Sequence, residues 1–152
     1  MESSKLTFRT MLVEDSLNFR KVLRDTLQDQ FPSVEIIEAG SGDEAIKKVG
    51  SQPVDLIFMD ISLPGKNGLE TTKEIKANYQ DIPIAILTGN DSPEYRRAAS
   101  ERGAICFLNK ATFEWQGMFT IVNCFHNAKQ DGRRPFCIQG VSDYAYRNHL
   151  AS

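Results

Sequence analysis

The stretch VDLIFMDISLPGKNG, residues 54–68, joins an apolar run to a single aspartate and then to a Pro-Gly turn. Val54 to Met59 is strand-sized and nearly continuous in apolar residues, with Asp55 the exception, the pattern of a strand covered on both faces. Ile82 to Leu87 reads the same way. Shorter β-rich runs occur at Phe8 to Val13, Val34 to Glu38 and Ala104 to Leu108. Between them the apolar spacing is helical, at Leu17 to Gln30, Asp43 to Val49, Leu69 to Asn78, Pro93 to Arg102 and Phe113 to Ala128. Start signals agree: Ser41 or Gly42 precedes the second helix, Ser92 with Pro93 opens the fourth, and Thr112 can cap the fifth.

Five βα units in strict alternation cannot pair as hairpins. They imply an α/β fold, a doubly wound parallel sheet with right-handed crossovers and helices on both faces. The 152 residues allow one domain, residues 1–128. Residues 129–152 are rich in polar, Gly and Pro residues and read as a C-terminal tail with one short helix after Ser142. The tail holds four basic and two acidic residues; Arg133 and Arg134 read as a solvated surface pair.

A net charge of -2 gives no global field for nucleic acid or an anionic membrane. MESSKLTFRT lacks the apolar stretch of a signal peptide, and no apolar run approaches the roughly 20 residues of a membrane span. A cytoplasmic protein without membrane contact is expected. Cys106, Cys124 and Cys137 form no CxxC pair and read as reduced thiols, the first two lying within apolar stretches.

The strand C-terminal ends of such a sheet converge on the crevice where strand order reverses. Strand one ends in Glu14-Asp15, strand three in Asp60, strand four in Thr88 and strand five in Asn109-Lys110. Carboxylates crowded there repel by about 3 kcal/mol per pair at 5 Å and an effective dielectric near 20. They must protonate, separate or bind a cation. An oxygen-only ligand set favours a hard divalent ion, and Mg²⁺ shares oxygens readily with phosphate. Asp60 can serve as the nucleophile of a phosphoryl transfer, with Lys110 neutralising charge and Thr88 donating a hydrogen bond.

Glu14-Asp15, Asp60 followed by Ile61 to Gly68, Thr88-Gly89, and Phe107 three residues before Lys110 together resemble the response-regulator receiver domain over roughly residues 6 to 128. GLETTKEIK and DIPIAILTGNDSPEYRRAA are similar to receivers that usually precede a helix-turn-helix DNA-binding domain, and only about 24 residues remain after Ala128. The resemblance implies the flavodoxin-like strand order 2-1-3-4-5 and phosphorylation of Asp60 by a sensor histidine kinase or phosphotransfer protein, or by a small donor such as acetyl phosphate. It implies Mg²⁺ bound by Asp15, Asp60 and the backbone carbonyl of Ser62, with Glu14 acting through water. Thr88 and Phe107 would form the switch pair. Output would pass through the fourth helix, fifth strand and fifth helix to a protein partner or a second copy, with no direct nucleic-acid binding. Slow autodephosphorylation would make the domain a timed switch rather than a turnover enzyme.

Two positions depart from the family pattern. Ala111 stands where proline usually follows the lysine in a cis peptide bond, and a cis bond to a non-proline residue costs about 3 to 4 kcal/mol. Either Lys110 is placed differently or the fold holds an uncommon bond. Phe107 replaces a common tyrosine, which removes one hydroxyl. Other readings stay open: an unphosphorylated pseudo-receiver acting as an interaction module, or the receiver part of a longer DNA-binding transcriptional regulator. A nucleotide- or flavin-binding module fits poorly, since the first βα turn, Glu14 to Asn18, is acidic and lacks glycine. A phosphohydrolase usually carries a second aspartate two residues after the first, where this chain has Ser62.

Overall fold

Apolar continuity puts the strands where the sequence predicts them, and hydrogen-bonding details set their ends. The computed structural model describes residues 6–112 and 115–134. Five strands, β1 (Phe8–Val13), β2 (Val34–Ala39), β3 (Leu56–Met59), β4 (Ile84–Thr88) and β5 (Cys106–Asn109), alternate with α1 (Leu17–Gln30), α2 (Gly42–Ser51), α3 (Gly68–Asn78), α4 (Pro93–Glu101) and α5 (Trp115–Asp131). The sheet is parallel in the order β2-β1-β3-β4-β5, as expected.

Alternate residues of each strand feed two cores. Leu12, Leu56, Phe58 and Leu87 pack with Leu23, Leu27, Met118, Ile121 and Val122, so α1 and α5 cover one face. Met11, Ile57, Met59 and Ile86 pack with Ala45, Val49, Leu69, Ile75 and Ala99 of α2 to α4. Full burial of each large side chain contributes about 1.5–3 kcal/mol. Met59 is thus strand packing, as its position implied. Trp115, Phe119 and Phe125 lie against the α1/α5 core, and Trp115 stacks on Phe119 with ring centroids 6.1 Å apart.

Ser41 and Ser92 cap α2 and α4 by accepting from the backbone N–H of Glu44 and Tyr95. The partners of the cap expected of Thr112, Cys137 and the helix expected after Ser142 lie outside the described residues. β4 starts later than predicted because Pro83 has no N–H to add to the ladder; its carbonyl still accepts from Ile57. β5 also starts late. Ala104 N–H bonds Ala99 O and Gly103 N–H bonds Ser100 O, with Gly103 at φ +94°, so these residues close α4 instead of opening the strand.

Helix α5 continues past the end predicted at Ala128. Lys129 Nζ reaches Asp55 Oδ1 at 2.9 Å and Thr7 O at 2.7 Å, and Gln130 exchanges two hydrogen bonds with the Leu6 backbone. Arg133 and Arg134 are exposed, as a solvated pair should be. Cys106 is a free thiol whose burial pushes its pKa up to about 12. Cys124 is disulfide-bonded and only half-buried, which corrects the expectation of a buried reduced thiol at that position. No helix among the described residues is long and apolar enough to cross a membrane.

Candidate functional site

The β1/β3 register pairs Val13 with Met59, so the residues that follow leave the sheet side by side. Asp60 N–H bonds Val13 O at 3.0 Å and Glu14 N–H bonds Ala39 O at 3.0 Å, fixing both acids to neighbouring strands. Glu14 and Asp60 are almost fully buried, at 3% and 4% exposure, while Asp15 is exposed. One carboxylate oxygen of each lies within 4.8 Å of the others.

Several groups hold this cluster. Ser62 N–H donates to Asp60 Oδ1 at 3.2 Å, and Ser16 N–H donates to Glu14 Oε1 at 3.2 Å. Arg20 donates to the Glu14 backbone carbonyl at 2.6 Å and is itself paired with Glu38. Lys110 supplies the cation. Its Nζ lies 2.5 Å from Glu14 Oε2 and 2.9 Å from Asp60 Oδ2, and 4.7 Å from the centre of the Phe19 ring.

Every described peptide bond is trans, including Lys110–Ala111. Lys110 therefore reaches the site without the bond that proline would favour, and the alternative posed by Ala111 resolves in a third way. Lys110 N–H extends the ladder to Thr88 O at 2.9 Å, and the Asn109 side chain accepts Ala111 N–H at 2.7 Å, closing a turn that aims the lysine back over the strand ends.

Burial pushes the Glu14 pKa up to about 7; nearby Asp60 adds to the rise and Lys110 opposes it. Burial alone would lower the Lys110 pKa, but its bonds to Glu14 and Asp60 outweigh that and raise it. In the unfolded chain Glu14 titrates near its ordinary 4.5. Between these values the folded state holds more protons than the unfolded state. Metal-free stability attributable to Glu14 therefore falls, by up to about 3 kcal/mol, as pH rises from about 4.5 through about 7, and levels off above. Urea unfolding in EDTA, compared with Glu14→Gln, checks this: the difference between the two proteins should track that window. A wild type that gains stability relative to the variant across it would contradict the assignment.

With all three acids ionised, the cluster carries two more negative charges than Lys110 compensates. An oxygen-only donor set with that deficit fits a hard divalent cation such as Mg²⁺. Thr88 is fully buried on the adjoining strand end, where its hydroxyl accepts Asn90 N–H at 3.3 Å. Phe107 is 8% exposed, packed in the α2–α4 core with the Arg96 guanidinium 5.3 Å from its ring centre. Glu14, Asp15, Asp60 and Lys110 are thus gathered at one point, with Ser62 touching it through its backbone.

Sequence reading did not single out Phe19 or Arg20, and Gly68 entered only as the last residue of the motif after Asp60. Phe19 lies one helical turn beyond Asp15, a spacing that would have placed it over the site. Gly68 opens α3 against the Asp60 backbone, where an added Cβ would lie 1.9 Å from Asp60 O. Nothing local in the Asn-Gly pair reveals that approach.

A family profile described as the response regulator receiver domain matches residues 10–121. Among curated relatives, the cyclic di-GMP phosphodiesterase response regulator RpfG of Xanthomonas campestris is 31% identical over 111 residues, 72% of this chain and 29% of that protein. The chain spans less than half the length of the curated relatives it matches. Among solved structures, the chemotaxis response regulator CheY4 of Vibrio cholerae superposes with a TM-score of 0.70 at 28% identity, covering 79% of this chain and 99% of that one. The response regulator TrrA of Thermotoga maritima, solved in complex with Mg²⁺-BeF, gives a TM-score of 0.69 at 33% identity over 78% and 99% of the two chains.

Proposed function

Because this chain belongs to the response regulator receiver family, its match spanning residues 10–121, we propose that it is a phosphorylation-dependent switch whose phosphoacceptor is Asp60. The observation that carries this reading is the carboxylate cluster of Glu14, Asp15 and Asp60, with Lys110 bridging Glu14 and Asp60. The donor is a phosphohistidine on a sensor kinase or phosphotransfer protein, or a small molecule such as acetyl phosphate. Asp15, Asp60 and the Ser62 carbonyl would hold Mg²⁺ directly, with Glu14 acting through water. When bound, the metal supplies positive charge to the phosphoryl oxygens.

The chain's own groups carry the remaining steps. An Asp60 carboxylate oxygen attacks phosphorus in line, and the donor's bond to phosphorus breaks, its electron pair leaving with the donor. Lys110 exchanges a carboxylate partner for a phosphoryl oxygen, which keeps its charge compensated. Thr88 turns its hydroxyl from Asn90 N–H toward the phosphoryl group, and the space it leaves lets the Phe107 ring settle inward. Water later hydrolyses the acyl phosphate, so the domain times a signal rather than turning over substrate.

Output passes through the face formed by α4, β5 and α5 to another protein or to a second copy, in the cytoplasm. Because the chain spans less than half of its curated relatives, a receiver belonging to a longer DNA-binding regulator is the second reading. An unphosphorylated pseudo-receiver is disfavoured by the reach of Lys110 to both buried acids. Beryllofluoride mimics the phosphoryl group, and TrrA was solved with it. Its fluorine resonance should show a bound species that needs Mg²⁺ and is absent in Asp60→Asn. Equal binding to the variant would remove Asp60 from its role.

A further inference from the structure

Ala111 leaves Lys110 without the backbone restraint of a proline, yet the lysine is aimed at Glu14 and Asp60. Asn109 stands where such a restraint would act. Its Oδ1 accepts Ala111 N–H at 2.7 Å, a donor that proline would lack, and its Nδ2 donates to Asp91 Oδ2 at 3.0 Å. Asp91 in turn pairs with Arg96 Nε at 2.5 Å, and the same guanidinium lies over Phe107 at 5.3 Å. The carboxamide is half-buried and used at both ends, so it cannot rotate without breaking one of two bonds.

We infer that Asn109 is a positioning residue for Lys110, and that its bond to Asp91 ties the lysine's turn to Arg96 and Phe107 on the α4–β5 face. This rests on the phosphoacceptor reading for its consequence, though not for its geometry. Direction of the lysine and placement of the Phe107 ring then share one chain of contacts, 109 to 91 to 96 to 107. A change at either end is felt at the other through a charged, partly buried link.

The test uses the full chain with Asn109→Ala, Asn109→Asp and the exchange Asn109→Asp with Asp91→Asn. With acetyl phosphate and saturating Mg²⁺, Asn109→Ala should phosphorylate roughly tenfold more slowly, with Mg²⁺ affinity within about twofold of wild type, since the acids are untouched. Asn109→Asp keeps an acceptor for Ala111 but faces Asp91, and should be at least as slow. The exchange restores one carboxylate and one carboxamide across the gap and should recover to within about threefold of wild type. A generic packing role would not produce that recovery.

In the metal-free protein, the Lys110 ammonium resonance should be sharp in wild type and the exchanged pair and broadened in Asn109→Ala. Wild-type phosphorylation rates in Asn109→Ala, or an exchange no better than Asn109→Asp, would overturn the proposal. A wild type that takes no phosphoryl group would defeat the phosphoacceptor reading instead, and the ammonium resonance would still decide the role of Asn109.

Discussion

Gly68→Ala is expected to destabilise the protein by roughly 3 kcal/mol and to suppress phosphorylation of Asp60, although position 68 carries no functional side chain. An ideal Cβ there lies 1.9 Å from Asp60 O, 2.7 Å from Asp60 C and 2.8 Å from Ile61 Cα. All three are backbone atoms of the β3 exit, and Gly68 N–H also bonds Ile61 O at 2.9 Å. Relief requires α3 to back away or the Asp60 peptide to shift. Either moves Asp60 relative to Glu14 and Asp15, whose positions are set by β1. Urea unfolding and adduct formation should fall together. Near-native values for both would mean that the α3 N-terminus yields freely and that the tight approach does not place Asp60.

Lys110→Ala separates two effects that a general loss of structure would not. The lysine is the cation compensating Glu14 and Asp60, and both acids are nearly buried. Its removal leaves like charges facing one another, costing the metal-free protein about 2 kcal/mol, moderated by proton uptake at Glu14 and by the partial exposure of the ammonium. Mg²⁺ then meets two uncompensated carboxylates, so its affinity should rise several-fold. Phosphorylation at saturating Mg²⁺ should nevertheless slow by about 100-fold, because the charge developing on the phosphoryl oxygens loses a fixed donor. Tighter metal binding with slower transfer is the expected signature. Slower transfer with weaker metal binding would place Lys110 in a structural role only.

How much of this could be read from the chain differs by feature. The nearly continuous apolar runs ending in Met59 and Leu87 read as strands covered on both faces, and five alternations left one topology class. Strand ends were harder to read because they depend on partners. Pro83 lacks a donor, and Ala104 N–H is taken by the close of α4. The last turn of α5 rests on Lys129 with Asp55 and Gln130 with Leu6, contacts between residues far apart in sequence.

Within the site, Glu14, Asp15 and Asp60 were legible because acids directly after apolar strands must meet at the sheet's edge. Lys110 carried a doubt rooted in Ala111, and nothing in the residue order reveals that Asn109 closes the turn with its own carboxamide. Gly68 was legible only as the end of a motif, and its packing role was hidden for a related reason. Its importance lies in the distance to another segment's backbone.

Incubation with acetyl phosphate, read by intact mass with and without Mg²⁺ and repeated on Asp60→Asn, tests the phosphoacceptor most directly. One added phosphoryl group that requires Mg²⁺ and disappears in the variant is the predicted result. No adduct on the wild type, or an adduct that persists in Asp60→Asn, would contradict it.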